Sequence, residues 1–343
     1  VAISAGQVVP VAEILAGHLV FTPAANANGP GYASFGFAVS DGTALSAAYT
    51  MTVDVAAVPE GMTITPVPHT YDHSAGEWRN VGAFAALRAD GSVVTWGRGL
   101  YGGDNTAVAT KLDGTIDVTQ VFSTARAFAA LRADGSVVTW GDAGYGGNSS
   151  GVATKLDGTI DVTQLFSAAR VFAALRADGS LVTWGDASDG GNSSGVAAQL
   201  DGTIDVTQVF STGGPSAGSA FAALRADGSV VTWGHASVGG DSSGVASKLD
   251  GTIDVTQVFS NTEAFAALRA DGSVVTWGYA GRGGDSSAVA TKLDGAIDVM
   301  QVASTDYAFA ALRADGSVVT WGDSTHGGDS SAVVTKLDGT IDV

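Results

Sequence analysis

From Phe84 onward, apolar and polar positions follow one template. "VTQVFS" (Val118 to Ser123) alternates polar with apolar, the period of a strand. "AFAALRA" (Ala127 to Ala133) is a second apolar stretch three residues later. "SVVTWG" (Ser136 to Gly141) returns across Asp134-Gly135, a pair that tolerates the positive φ of a tight hairpin. The loop "DAGYGGNSSG" then leads to "VATKL", which reads as a fourth short strand. Asp157-Gly158 opens the next hairpin, into "TIDVTQLFS". The pattern predicts a four-stranded antiparallel meander. A two-residue turn at Asp134-Gly135 puts Ala129, Leu131, Val138 and Trp140 on one face and Phe128, Ala130, Val137 and Thr139 on the other. Both faces are largely apolar, so both need covering.

The template returns at Phe84, Phe128, Phe172, Phe221, Phe265 and Phe309, with spacings of 44, 44, 49, 44 and 44. Periods of this size mark solenoids, propellers or arrays, in which neighbouring units cover each other's faces. The longer interval contains "GGPSAG" (Gly213 to Gly218), whose composition predicts a surface loop. One tryptophan per copy (Trp96, Trp140, Trp184, Trp233, Trp277 and Trp321) fills the gap between sheets, at a few kcal/mol each.

"VFS…AFAALRADGSVVTWG…GG" resembles the repeat of the RCC1-like β-propeller family, over Phe84 to Val343. The resemblance implies an all-β fold of six four-stranded units closed into a six-bladed propeller, with an open array as the alternative. The founding member has seven blades, a longer period and nucleotide-exchange activity on chromatin. That activity is not carried over, because the copies here are near-identical and acidic. Ring closure would pair the final "TKLDGTIDV" with the segment near Trp78 to Val81, removing exposed sheet edges.

Residues 1–59 have a different grammar and contain no Lys or Arg. "HLVFTPA", "YASFGFAVSDG" and "AAYTMTVDVAAV" read as strands of a partial β-sandwich. They resemble the second half of cadherin-like repeats in giant bacterial surface and secreted proteins. In that family an Asp/Asn-rich calcium linker follows; "DVAAVPEG" lacks its Asn-Asp pair. Residues 60–81 read as a linker and candidate closing strand, and residues 82–343 as the repeat domain. His69, Asp72 and His73 in the linker could suggest a metal site, but nothing supplies a further ligand of clear type nearby. The chain opens on Val1 with no charged leader before an apolar core, the pattern of a processed or internal segment.

Comparison of the six copies separates constant from variable positions. The turns "ADGS" and "LDGT" recur, the latter becoming "LDGA" once, and antiparallel order places them at one end. The loops at the other end differ. Tyr101, Tyr145, Asp189, Val238, Arg282 and His326 share one equivalent position after Trp-Gly. Arg126, Arg170, Glu263 and Tyr307 share another. Variable loops gathered on a constant scaffold predict a ligand-binding face formed by Tyr101, Tyr145, Asp189, Arg282, His326, Arg126, Arg170 and Tyr307. Unconstrained drift of the same loops is the alternative.

Charge narrows the partners. Lys plus Arg total 16 against 34 Asp plus Glu, a formal charge of -18. That balance repels nucleic acid and anionic membrane. No segment is apolar enough to span a bilayer, so no membrane insertion is expected. With no cysteine, there is no disulfide, thiol nucleophile or thiolate zinc site. Asp113 and Asp117 in "LDGTID" are weak calcium candidates, set against ordinary solvated turn carboxylates. Six copies of every feature leave no singular catalytic constellation, so no enzyme and no cofactor are expected. The reading is a binding or adhesion module, extracellular or at the cell surface, for a protein or glycan ligand. The alternative is a structural subunit that self-assembles into a filament or array by strand addition.

Overall fold

The computed structural model describes residues 8–10, 29–40, 43–55, 63–64, 78–214 and 218–340. The expected strand "HLVFTPA", the linker residues His69, Asp72 and His73, the tip of "GGPSAG" (215–217) and the last three residues lie outside these. The chain divides into two compact units, Val1–Met62 and Thr63–Val343.

In the first unit, Gly29–Phe37 pairs antiparallel with Tyr49–Val55, in a register from Ala33↔Val53 to Phe37↔Tyr49. These strands overlap the expected "YASFGFAVSDG" and "AAYTMTVDVAAV". The β-branched and aromatic residues suit a pleated surface.

The second unit is all-β and built from six three-stranded antiparallel sheets whose order follows the sequence. One copy consists of Val118–Ser123, Ala127–Arg132 and Val137–Gly141. The expected fourth strand, "VATKL", is instead part of a 3-10 turn, Ser150–Lys155, and its equivalents are too. Asn148 Oδ1 starts this turn by accepting the Ser150 amide at 3.0 Å. Ala and Lys have little strand preference. Val152 and Leu156 are four residues apart, so one helical turn sends both to the same core.

The hairpin register also departs from expectation by one residue. The pairs are Phe128↔Trp140, Ala129↔Thr139, Ala130↔Val138 and Leu131↔Val137. The turn uses three residues, with Arg132 N–H on Ser136 O at 2.9 Å and Gly135 N–H on Arg132 O at 3.0 Å. Gly135 sits at φ 72°, the left-handed residue that completes such a three-residue loop. A slip of one residue exchanges faces for a whole strand. Phe128, Ala130, Val138 and Trp140 therefore share the face that leads into the preceding copy, and Phe128 stacks on Trp140 at 5.3 Å. Ala129, Leu131 and Val137 form the trailing face, which meets the next copy.

Five such junctions join the six copies. In the first, Phe128, Ala130, Val138 and Trp140 pack on Ala83, Ala85, Val93 and Leu112 of the copy before. The indole of Trp140 donates to Gly102 O at 3.0 Å, and Trp184, Trp233, Trp277 and Trp321 do the same to Gly146, Gly190, Gly239 and Gly283. Glycine is needed at the acceptor: Gly239 has φ 109°, and a Cβ there would lie 2.5 Å from Phe265 Cδ2.

A two-residue strand completes the first copy. Thr63–Ile64 pairs with Ala86 and Leu87, in place of the missing "VTQVFS". Trp78 bridges to Ser123, and Val81 N–H binds Ala125 O at 2.9 Å. The expected closing segment is thus engaged with the second copy. Its contacts continue as a ladder, Ala125 N–H to Ala169 O at 3.0 Å and Thr262 N–H to Asp306 O at 3.2 Å. No sheet closes on itself among the described residues.

Candidate functional site

Each variable residue after Trp-Gly ends a three-residue 3-10 turn. Ala143–Tyr145 is one, and Ser324–His326 is another. Asp142, Asp186 and Asp323 cap these turns with a carboxylate that accepts the amide two residues on. A glycine in the left-handed region stops each, at φ 91° for Gly146. In every copy but the third, which has Ala168 there, a polar side chain from the neighbouring loop holds the variable residue's carbonyl. Asn80 binds Tyr101 O at 2.7 Å, Thr124 binds Tyr145 O at 2.8 Å, Asn261 binds Arg282 O at 2.7 Å, and Thr305 binds His326 O at 2.9 Å. The backbone of both variable loops is therefore fixed, while their side chains vary.

These side chains meet across copies. Arg126 lies between two tyrosine rings, 4.9 Å from the Tyr101 centroid and 4.5 Å from that of Tyr145. Arg98 covers Tyr101 at 4.4 Å, and Arg170 approaches Tyr145 at 5.3 Å. Arg170 ends this run beside two carboxylates, Asp186 at 3.6 Å and Asp189 at 3.8 Å. A second run joins the last two copies. Arg282 stacks on Tyr307 at 3.9 Å, pairs with Asp323 and reaches Glu263 at 4.0 Å. The His326 ring meets Tyr307 edge-on at 4.8 Å and binds Asp323 Oδ1 at 3.0 Å.

All eight expected positions thus fall on two runs, Tyr101, Arg126, Tyr145, Arg170 and Asp189 in one, and Arg282, Tyr307 and His326 in the other. The fourth copy separates them. Its equivalent residue, Val238, is buried. The "GGPSAG" insertion does not leave the sheet at once: it extends the hairpin through Gly213↔Ser219 and Gly214↔Gly218. A Cβ at Gly218 would lie 2.7 Å from the His235 ring, so this extension covers the loop. Comparison of the copies did not single out Arg98, Asp186 and Asp323 at this edge. They occupy the first position after Trp-Gly, where the alternation of Arg, Asp, His and Tyr was the available signal.

Charge on the two runs is unevenly satisfied. The Thr325 hydroxyl and the His326 ring hold the Asp323 carboxyl well below the usual carboxylate range, with the Thr325 amide and Arg282 adding to this. Burial pushes the Asp189 carboxyl up, and Asp186 adds to the rise while Arg170 opposes it. Asp189 Oδ2 and Ser219 Oγ are buried without a hydrogen bond among the described residues.

The opposite turns offer little to a metal ion. Asp113 Oδ1 accepts the Thr115 amide at 2.9 Å, an interaction that also lowers its pKa. A Cβ at Gly91 would lie 2.5 Å from Asp117 Oδ1, so this second carboxylate packs on the neighbouring Asp-Gly turn. Among the described residues no group of three His, Asp or Glu side chains is placed to hold a metal. No helix in them is long and apolar enough to cross a membrane.

The tryptophans are placed unequally. Trp140, Trp184, Trp233, Trp277 and Trp321 are buried at the junctions, whereas Trp96 is exposed.

No family model and no curated protein matches the chain. Solved structures that it resembles include the following three. The ectodomain of the Physcomitrella patens receptor kinase CR4 is 16% identical with a TM-score of 0.39, over 71% of this chain and 60% of that one. The present chain thus spans less than two thirds of that ectodomain. Human WBSCR16 is 17% identical with a TM-score of 0.41, over 70% and 74% of the two chains. Prp20p of Saccharomyces cerevisiae, the yeast RCC1, described for its binding to Gsp1p and histones, is 17% identical with a TM-score of 0.41, over 71% and 70%. These likenesses are partial, and no activity or partner is transferred from them.

Proposed function

We propose that this chain is a non-enzymatic binding module of a large extracellular or surface protein. In this reading the repeats, an RCC1-like array capable of closing as a propeller, serve as a rigid frame, and a cadherin-like segment precedes them. The ligand is a protein or a glycan, taken by the variable edge. The observation that carries the reading is the meeting of the variable side chains: residues that differ between copies lie in two continuous polar and aromatic runs. Tyrosine and arginine supply large contact area and directional donors, the usual anchors of recognition surfaces. Drift alone gives no reason for residues from different copies to fit one another. The frame costs the ligand little ordering entropy, because the loop backbones are already held.

The test uses the whole chain against a glycan array and a panel of extracellular proteins. A Tyr101→Ala, Tyr145→Ala, Arg282→Ala triple variant should lose retention on whichever probe the wild type binds while keeping the wild-type circular dichroism spectrum. Equal retention by the two proteins overturns the assignment of the edge.

A further inference from the structure

Four of the five junctions carry a backbone rung between their variable loops. Val81 N–H binds Ala125 O at 2.9 Å, Ala125 N–H binds Ala169 O at 3.0 Å, Gly213 N–H binds Thr262 O at 2.9 Å and Thr262 N–H binds Asp306 O at 3.2 Å. The rung that would follow in the series, from Ala169 N–H to the fourth copy, is absent among the described residues. The same junction is loosened in two further ways. Thr124 and Thr212 hold the variable-loop carbonyls of the second and fourth copies at 2.8 Å, whereas Ala168 in the third has no side-chain polar atom to offer. Tyr145 packs against the junction core that follows it, and Val238 is part of the next such core but one. Asp189 brings a carboxylate to the equivalent place in the third copy, at 3% exposure. Its ion-pair partner Arg170, at 3.8 Å, belongs to its own copy. Asp189 Oδ2 and Ser219 Oγ of the fourth copy are both buried without a hydrogen bond. The Trp233 indole still reaches Gly190 O at 3.1 Å, and the Ser211 hydroxyl reaches Ser167 O at 3.3 Å. At the constant end this junction matches the others. Val206 N–H binds Gly179 O at 3.0 Å, against 2.9 Å for Val162 on Gly135 and Val255 on Gly228. The chain itself also crosses there, through Asp201 to Asp205.

We infer that the repeats form two stiff halves, the first three copies and the last three, joined by a hinge that opens at the variable end between the third and fourth copies. Opening gives water to buried polar groups that have no partner, which lowers its cost at this junction alone. The missing rung and the unheld loop leave fewer ties to break. The constant end, with its intact hydrogen bond and its covalent crossing, is the pivot. One run of variable side chains lies on each half, so the hinge sets the distance between Arg170 and Arg282. It is independent of any ligand on that edge.

The test uses the full chain, which has no cysteine of its own. Spin labels go on cysteines introduced by Ala143→Cys with Ala236→Cys, or by Ala236→Cys with Ser324→Cys, all at exposed positions in the loops after Trp-Gly. Each pair spans two junctions, and only the first pair includes the one between the third and fourth copies. Pulsed electron paramagnetic resonance should give a distance distribution about twice as wide for the first pair as for the second. Ala168→Thr together with Asp189→Val gives the third copy the residues that the fourth has at Thr212 and Val238. This background should narrow the first distribution to the width of the second and leave the second unchanged. Equal widths in the otherwise wild-type chain overturn the inference, and that comparison decides it even if the double variant does not fold. A folded double variant whose first distribution stays wide overturns it as well.

Discussion

Replacing the repeated tryptophan by alanine at two positions separates the junction from the sheet. Trp233 is 5% exposed, stacks on Phe221 at 5.3 Å and donates to Gly190 O at 3.1 Å. A buried indole removes roughly 200 Å² from water, which at about 25 cal/mol per Å² corresponds to about 5 kcal/mol. Its hydrogen bond adds about 1 kcal/mol. Alanine keeps part of that area and the unfolded chain already buries some of it, so Trp233→Ala should cost about 4 kcal/mol, within the usual range for a buried tryptophan. Trp96 has the same sequence context and the same stack, on Phe84 at 5.3 Å, but is 42% exposed and makes no indole hydrogen bond among the described residues. Its replacement should cost about 2–3 kcal/mol, mostly the stack and the half that is covered. Urea unfolding followed by far-ultraviolet circular dichroism, at concentrations low enough to keep chains apart, measures both. Because repeat arrays unfold in segments, the comparison uses the onset as well as the midpoint. Equal losses at the two sites would refute the reasoning, since they would mean that the first copy is covered as fully as the fourth.

Three further perturbations follow from the same geometry. Gly239→Ala should destabilise by several kcal/mol in urea unfolding, because its φ of 109° disfavours a side chain and the new Cβ meets Phe265 at 2.5 Å, whereas Gly327→Ala has the strained φ of 102° without the clash and should cost far less. Asp90, Asp113 and Asp323 have pKa values below their unfolded ones, set first by the Ser92 hydroxyl, the Thr115 amide and the Thr325 hydroxyl respectively. Their stabilisation is complete above the unfolded carboxylate value, near ~4, and is lost as pH falls through the lower folded values, so melting temperature should fall below about pH 4. Asp189 has the opposite sign, raised by burial, so Asp189→Asn should raise the melting temperature more at pH 7 than at pH 4.

Much of the repeat was legible because its signals are local. The period, the two recurring Asp-Gly turns and the placement of the variable loops at one end required only alternation and turn chemistry. The face assignment failed at Ala133. A two-residue Asp-Gly hairpin and a three-residue loop ending in a left-handed glycine share the letters "ADGS", and they differ by one residue in register. Trp140 facing Phe128 was the available clue, since a stack of 5.3 Å needs both rings on one face. The fourth strand failed for a related reason. "VATKL" is too short to display a period, and only the four-residue spacing of Val152 and Leu156, repeated in every copy, points to a helical turn. The open first face was not legible at all. The residues at Phe84, Val94 and Trp96 are those of every other copy, and exposure is a property of what lies beside them.

The variable edge and the constant junction place opposite demands on one frame. Arg126 is shared between Tyr101 and Tyr145, so it binds adjacent copies together while presenting a surface. Exposed cation–π pairs contribute about 0.5–1 kcal/mol each, far less than a buried tryptophan at the junction. Those arginines can therefore turn towards a ligand at small cost to the array, and the indoles cannot. The sequence distributes variation accordingly: strand residues that form the junction are nearly invariant from copy to copy, and the weakly bound edge is where the copies differ. Buried Val238 and the lengthened hairpin of the fourth copy interrupt the edge without disturbing the junctions on either side, where Trp233 and Trp277 keep their hydrogen bonds at 3.1 Å. A frame whose stability lies in one set of residues leaves the other set free to be specialised, and this separation makes the edge, rather than the turns opposite it, the surface to test for recognition.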